Sequence, residues 1–378
     1  MERRRFLQAA VGTSALGTGT LVGCLEREEV DPVEIADEEA GENGDEGSLR
    51  VAADRHLIAG EDSTGRWLKD TFEEEFPDAE LDWTVPDAGL DLYVEQTERD
   101  VPIDADVYVG VAVDQLAAID ADDEFDGHLF RTLERDRLDH STRIQSDFEF
   151  DDPHERAIPY ERGYLAFLYD SPSLERPRTF EHLLEPEFAG EILAQDPRTS
   201  STGLSFLLWT IATFGEDGYL DYWAGLRENE IDLRDDWVES YEAYLDGERP
   251  MVVSYSTDRV AIGRDRDEDE DHEFTRHRIA FPNDQGFLTR RGAAIFERTP
   301  RVELAYQFVD FLLSSRIQTG LALRNARFPV VENIYVSLDE DFTTYALEPP
   351  ETVDVDYETV RWSLEAGLEE WKQVFEPE

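Results

Sequence analysis

The chain has 378 residues, with 89 Asp and Glu against 35 Lys and Arg, a formal net charge of −54 and a pI near 4.2. That balance excludes nucleic acid as a partner, because no basic patch survives beyond the first few residues. It describes a solvated, halophile-type surface whose self-repulsion salt would relieve. Disorder is excluded for most of the chain, since 40% of residues are hydrophobic and 11% aromatic.

The first elements are addressing signals. Arg3-Arg4-Arg5-Phe6-Leu7 has the form of a twin-arginine export signal. A weakly apolar run over 9–22 follows, too short and too rich in Gly, Ser and Thr to span a bilayer. It ends in Leu21-Val22-Gly23-Cys24, a lipobox in which cleavage before Cys24 exposes that residue to lipidation. Cys24 is the only cysteine, so the body holds no disulfide, Cys-built metal cluster or Cys nucleophile. Residues 1–23 are expected to be the leader. Residues 24–47, crowded with Glu, Asp and Gly, are expected to be a disordered acidic tether. The expected location is the outer face of the cytoplasmic membrane, held by a lipid anchor.

The folded body begins near Ser48, and 48–378 is long enough for two lobes. A strand is predicted over 49–53 and a helix over 60–76, on the spacing of Trp67, Leu68, Phe72 and Phe76. Alternation predicts a strand at 80–85, then a helix at 90–98, a strand at 105–110 and a helix through Leu116 and Ile119. Strands alternating with helices imply an open, mainly parallel sheet covered on both faces. Ligands of such sheets bind beyond the strands' carboxyl ends, which selects the loops after Ala53, Val85 and Gly110.

Further on, 163–169 is a long apolar strand. Another at 192–196 leads through Pro197-Arg198-Thr199-Ser200-Ser201-Thr202-Gly203 into a helix over 204–214. Free N–H groups, the helix dipole and four hydroxyls there make an anion cradle; plain N-capping explains the same residues. Trp237-Val238-Glu239-Ser240-Tyr241 opens a helix ending near Gly247. The segment 250–258 is a strand running into the polar turn Ser256-Thr257-Asp258. Taken singly, Trp237 and Tyr255 also fit as packing residues. The acidic run 264–273 lacks the Gly and Glu of a Ca²⁺ loop and reads as a solvated loop. The seven His show no paired metal spacing, and no metal or cofactor is expected.

Several blocks together carry a resemblance. Ile158-Pro159-Tyr160-Glu161-Arg162-Gly163-Tyr164 with Leu165 to Asp170 looks like the interlobe crossover of the thiamine-binding substrate-binding proteins of ABC transporters. Gln195 to Leu204 with Leu207-Leu208-Trp209, Trp237 with Tyr241, and Gly247 through Ser254-Tyr255-Ser256-Thr257 resemble that family's next blocks in order and spacing. The segments 308–318 and 325–330 resemble its C-terminal part more loosely. The resemblance implies an α/β fold of the type II periplasmic-binding-protein kind, with two lobes joined by crossover strands around a ligand cleft. It implies a first lobe of 48–156 and 279–378, a second of 157–258, and an acidic connecting segment at 259–278. It also implies capture of thiamine or a thiamine phosphate and its delivery to a membrane permease with its ATPase, without chemistry.

The ligand-binding positions implied by the resemblance are Asp87 and Ala88 beside Gly89, Ser200 with Ser201, Trp237, and Tyr255, Ser256, Thr257 and Asp258. The family's stacking aromatics do not carry over. Their positions fall at 53–56, at Ala261 and at Ala326. Arg55, His56, Arg259 and Arg327 stand instead at or beside those positions, and cations there favour a small anionic or phosphorylated solute as the alternative ligand. A remote alternative from another class is an exported hydrolase using two of the many carboxylates. Saturable binding without turnover separates the two.

Overall fold

The computed structural model describes residues 47–60, 62–121, 128–264 and 275–375. The leader, Cys24, the tether up to residue 46, the side chain of His56 and the run 265–274 lie outside the described residues. The strands are β1 (Ser48–Ala53), β2 (Glu80–Thr84), β3 (Val107–Val111), β4 (Ala157–Asp170), β5 (Ile192–Gln195), β6 (Asp232–Arg234), β7 (Met251–Tyr255), β8 (His277–Ala280), β9 (Gln285–Ile295), β10 (Phe328–Pro329) and β11 (Glu351–Val353).

Two parallel sets flank an antiparallel centre. In the first lobe β1 pairs in parallel with β2 and β3; in the second β5 pairs in parallel with β6 and β7. Between them the order β3-β9-β4-β7 is antiparallel throughout. β4 and β9 are the crossovers. Residues 157–165 of β4 pair with β9 from Ala294 back to Phe287, and residues 165–170 pair with β7 and β8. The apolar strand read at 163–169 therefore extends back to Ala157, because the preceding Ile158, Pro159 and Tyr160 are buried on a strand paired only through its N-terminal half with the first lobe.

Helix formation follows side-chain periodicity and caps. In Thr64–Glu75 the Ser63 hydroxyl accepts from the Arg66 N–H at 3.2 Å, and the apolar stripe buries Leu68 and Phe72. Phe72 meets Phe308 and Phe311 of helix Val302–Leu312 edge-on, at 5.3 and 5.2 Å between ring centroids. That aromatic set anchors the first lobe's own core. The second lobe buries Phe180, Trp209 and Trp223 beneath helices Ser201–Phe214 and Tyr219–Glu228.

The C-terminal segment touches both lobes. Tyr357, opening helix Tyr357–Trp362, donates from its hydroxyl to the Leu116 carbonyl of helix Val113–Ala121 at 3.3 Å. Helix Leu368–Phe375 instead sets Trp371, fully buried, 5.5 Å from Trp223. Tyr219 also donates to the Gly367 carbonyl at 3.1 Å. Residues 368–375 thus pack against helix Tyr219–Glu228, through Trp371 and Phe375 against Trp223. Among the described residues no helix is long and apolar enough to cross a membrane.

Candidate functional site

The crossover strands build the floor of the site. Opposed residues of antiparallel strands share a face, and alternate residues of one strand do too. Glu161 opposes Arg291, Gly163 opposes Thr289, and Leu165 opposes both Phe287 and Tyr255. Glu161, Gly163, Thr289, Arg291 and Tyr255 therefore stand on one face where the two lobes meet. Gly163 leaves room for the Arg327 side chain there: a Cβ would lie 3.0 Å from Arg327 Nη1 and 3.4 Å from the Tyr255 ring.

Tyr255 is the centre of the arrangement. Its ring lies under the Arg327 guanidinium, with 3.3 Å from Cζ to the ring centroid. Its hydroxyl is 3.1 Å from Thr202 Oγ1, at the start of helix Ser201–Phe214. Trp237 approaches at 6.2 Å between ring centroids, stacks on Tyr241 at 4.7 Å, and donates its indole N–H to Ser254 Oγ at 2.8 Å. Three segments distant in sequence thus converge on one tyrosine.

The helix start uses each hydroxyl differently. Ser200 caps the helix, its Oγ accepting from the Gly203 N–H at 3.4 Å. Thr199 donates to the Asp235 carbonyl at 2.7 Å. Ser201 Oγ accepts from Arg291 Nη2 at 3.1 Å, across the lobe boundary. Gly203 permits this packing, since a Cβ there would lie 2.5 Å from the Gln195 carbonyl oxygen. Arg198 turns back onto Asp196, with Nε and Nη2 contacts of 3.0 and 2.6 Å. Burial pushes the Asp196 carboxyl up, but these bonds outweigh it and hold the carboxyl below its ordinary range.

The turn after β7 is almost wholly buried. Ser256 is fully buried and its Oγ has no hydrogen-bond partner among the described residues; Arg327 Nη1 is likewise buried and unpartnered. Such atoms are costly to leave unmatched, so a ligand group within reach would be held strongly. Thr257 is buried beside them, accepting through its carbonyl from the Val260 N–H. Asp258 Oδ2 accepts from the Tyr255 N–H at 3.1 Å. Burial lifts the Asp258 carboxyl to about 6, against the opposing pull of Ser254, Arg327 and that N–H.

The first-lobe positions are less gathered. Asp87 and Ala88 are exposed in the turn before helix Asp91–Glu98, and no contact joins them to the Tyr255 group among the described residues. Arg55 is exposed on the short helix Arg55–Ile58. Arg259 is half-buried, 5.0 Å from the Tyr345 ring centroid, and desolvation with nearby Arg278 lowers its basicity. Ala326 is buried and left-handed at φ 48°, and this turn delivers Arg327 to the Tyr255 ring.

Arg291 is the residue that sequence reasoning missed. It donates through Nη1 to the Gly110 carbonyl at 3.1 Å and through Nη2 to Ser201, so one guanidinium joins the end of β3 to the second lobe. Desolvation opposes its charge, but Tyr255, Asp114, Asp54 and Tyr160 around it together outweigh that and raise its basicity above the ordinary arginine range. Burial pushes the nearby Asp114 carboxyl up, partly countered by Arg291. Asp54, after β1, accepts from the Tyr108 hydroxyl at 3.3 Å. The loops after Ala53 and Gly110 therefore do meet near the site. A cavity of 60 Å³ lies between the lobes, lined by Asp114, Ser201, Tyr255, Thr289 and Arg291 among others. Thr289 and Arg291 at alternate positions of β9, hence on one face, were the available signal.

Over residues 107–357 the chain matches the bacterial extracellular solute-binding protein family, and it belongs to that family. The thiamine-binding periplasmic proteins of Salmonella typhimurium and Escherichia coli are each 28% identical to it over 217 residues, 57% of this chain and 63% of theirs. The chain thus matches less than two thirds of the length of these relatives. A solved periplasmic thiamin binding protein superposes with a TM-score of 0.68 at 24% identity, covering 86% of this chain and 96% of that one. The apo ferric ion-binding protein A of Pasteurella haemolytica does so with a TM-score of 0.68 at 17% identity, covering 87% and 98%. The fold is that of a type II periplasmic binding protein, two lobes around a ligand cleft.

Proposed function

We propose that the chain is the receptor of an ABC importer, capturing thiamine or a thiamine phosphate between its lobes and passing it to a membrane permease and its ATPase. The observation that carries this reading is the convergence of Thr202 and Trp237 on Tyr255, with Ser254 bonded to that Trp237 and Ser201 to Arg291. Ser201, Trp237 and Tyr255 are among the ligand-binding positions the thiamine-binding resemblance implies, and relatives named for thiamine binding align with the chain. Ser200, Ser256, Thr257 and Asp258 complete the second-lobe side, with Asp87 and Ala88 closing from the first. The role is binding without catalysis. The protein is exported by its leader and held by lipid on Cys24, on the outer face of the cytoplasmic membrane. The first lobe comprises 48–156 and most of the chain after 279; the second comprises 157–258 with the terminal helix.

A second reading has its own observation. Arg327 occupies the face of Tyr255, a place where a flat cation would otherwise stack. This favours a small anionic or phosphorylated solute unrelated to thiamine.

A thermal-shift titration of the mature protein in high potassium chloride separates the two. A ligand that binds only the folded state raises the melting temperature with concentration. The thiamine reading expects such shifts with thiamine, thiamine monophosphate or thiamine diphosphate. Shifts confined to other phosphate esters support the second reading, and no shift with any thiamine compound overturns the first.

A further inference from the structure

The last helical segment docks at two places, and the two docks differ in chemistry. The first is on helix Val113–Ala121, which follows β3 of the first lobe. There the buried Tyr357 donates its backbone N–H to Asp151 Oδ2 at 3.0 Å, and its hydroxyl, which meets the Leu116 carbonyl, also bonds Asp120. Arg156 holds the same Asp120 carboxylate in a fork, at 2.7 and 2.8 Å. Burial pushes that carboxyl up, but the bonds from Arg156 and Tyr357 outweigh it and keep it below its ordinary range. Arg156 immediately precedes crossover strand β4, so this dock sits at the root of the connection on which the lobes turn.

The second dock is on helix Tyr219–Glu228, which precedes β6 of the second lobe. It is mainly aromatic. Trp371 and Phe375 lie 5.5 and 5.6 Å from Trp223 and stack on each other at 4.8 Å. Tyr219 donates to the Gly367 carbonyl, and Arg227 to the Val374 carbonyl. Between the docks the helix passes through a π turn over Ser363–Gly367, the kind of irregularity at which helices bend. Val355 and Val360, at the first dock, also line the cavity between the lobes that Ser201 and Tyr255 line.

Opening the lobes about β4 and β9 moves helix Val113–Ala121 away from helix Tyr219–Glu228, and one segment docked on both cannot follow both. Parting the second dock would expose two large aromatic rings to water. Parting the first releases one hydroxyl from a carboxylate that Arg156 still holds. We propose that residues 357–375 are a strap that biases the lobes toward closure, with the Tyr357–Asp120 bond as the latch that parts on opening. The π turn is where the strap bends, and the strap stays with the second lobe. The device depends on the two-lobed fold and not on the identity of the ligand.

The test is a pulsed electron spin resonance measurement of the distance between the lobes. Cys24 is the only native cysteine, so Cys24→Ser with Glu98→Cys and Asp235→Cys, both exposed, gives one spin label on each lobe of the mature chain. Without ligand, Tyr357→Phe is expected to raise the ratio of long to short distances about tenfold over the parent, the effect of losing one bond to a charged group. Tyr219→Phe, which leaves the aromatic dock in place, should raise it less. Unchanged circular dichroism checks that the lobes themselves are intact. Thiamine diphosphate should restore the short distance in Tyr357→Phe, at concentrations up to about tenfold above those the parent needs.

Identical distance distributions in parent and variants overturn the strap. A larger change in Tyr219→Phe than in Tyr357→Phe overturns the assignment of the latch. Should Tyr357→Phe fail to fold, Tyr219→Phe decides alone, and an unchanged distribution in it overturns the strap. Distributions that differ without ligand but ignore thiamine diphosphate support the strap and count against the thiamine reading.

Discussion

The two sides of the cleft are built in different ways. On the second-lobe side nearly every polar group is committed to another: Ser200 caps its helix, Thr202 meets Tyr255, Trp237 bonds Ser254, and Asp258 holds the Tyr255 N–H. On the first-lobe side Arg55, Asp87 and Ala88 are exposed, while Asp54, the Gly110 carbonyl and Asp114 are turned toward the centre. A prebuilt wall needs little reordering when a ligand arrives, whereas exposed loops must be ordered at the moment of binding. The difference teaches that affinity should be concentrated in the second lobe, with the first lobe contributing mainly through closure.

The largest expected effect breaks the prebuilt wall at its centre. Tyr255→Ala removes the ring beneath Arg327 and the hydroxyl beside Thr202, and should cost roughly 3–4 kcal/mol of binding, several hundredfold in Kd. Titration calorimetry with thiamine diphosphate reads it. A loss no greater than that from first-lobe substitutions would erase the contrast between the two sides.

Asp258 gives the wall a pH signature in stability. Its carboxyl is raised in the folded state to about 6, so the stabilisation from its neutral form is fully present below the ordinary Asp range. It is lost as pH rises through about 6. Between about pH 4 and pH 7 the wild type should lose up to about 3 kcal/mol relative to Asp258→Asn. Urea midpoints of the two proteins across that range measure the difference. Parallel curves would mean that Asp258 is not the buried acid described.

Gly163→Ala sharpens the account of the floor. The added Cβ meets the far end of the Arg327 side chain at 3.0 Å, which can shift at little cost to folding. Thermal stability should stay close to wild type, while thiamine diphosphate affinity falls about tenfold as Arg327 is displaced. The smallest effect belongs to the first lobe. Asp87→Ala should change Kd by less than about threefold, because the side chain is exposed and its gain on closure is screened.

Much of this was legible in the sequence where local chemistry decides the structure. The strands at 49–53, 80–85 and 105–110 lie within a few residues of β1, β2 and β3, and the helix after Gly203 begins slightly earlier, at Ser201, because Ser200 caps it. The second-lobe blocks were legible for the same reason: helix start, strand and turn are contiguous runs. The unread parts depend on pairing between distant segments. Arg291 becomes a cleft residue only because β9 crosses from one lobe to the other opposite Glu161. Arg327 was noticed as a cation, but its place on Tyr255 depends on the left-handed turn at Ala326 and on the absence of a side chain at Gly163. The association of residues 368–375 with the second lobe rests on Trp371 finding Trp223, a contact no periodicity encodes.

The central claim is a receptor that binds a small solute between its lobes and returns it unchanged. Equilibrium dialysis of the mature protein against labelled thiamine diphosphate, followed by recovery and identification of the bound label, tests it most directly. The account predicts saturation at one ligand per chain, shifted to several-hundredfold higher concentration in Tyr255→Ala, with the label recovered intact. No saturable retention of any thiamine compound, or recovery of a hydrolysed product, would contradict it.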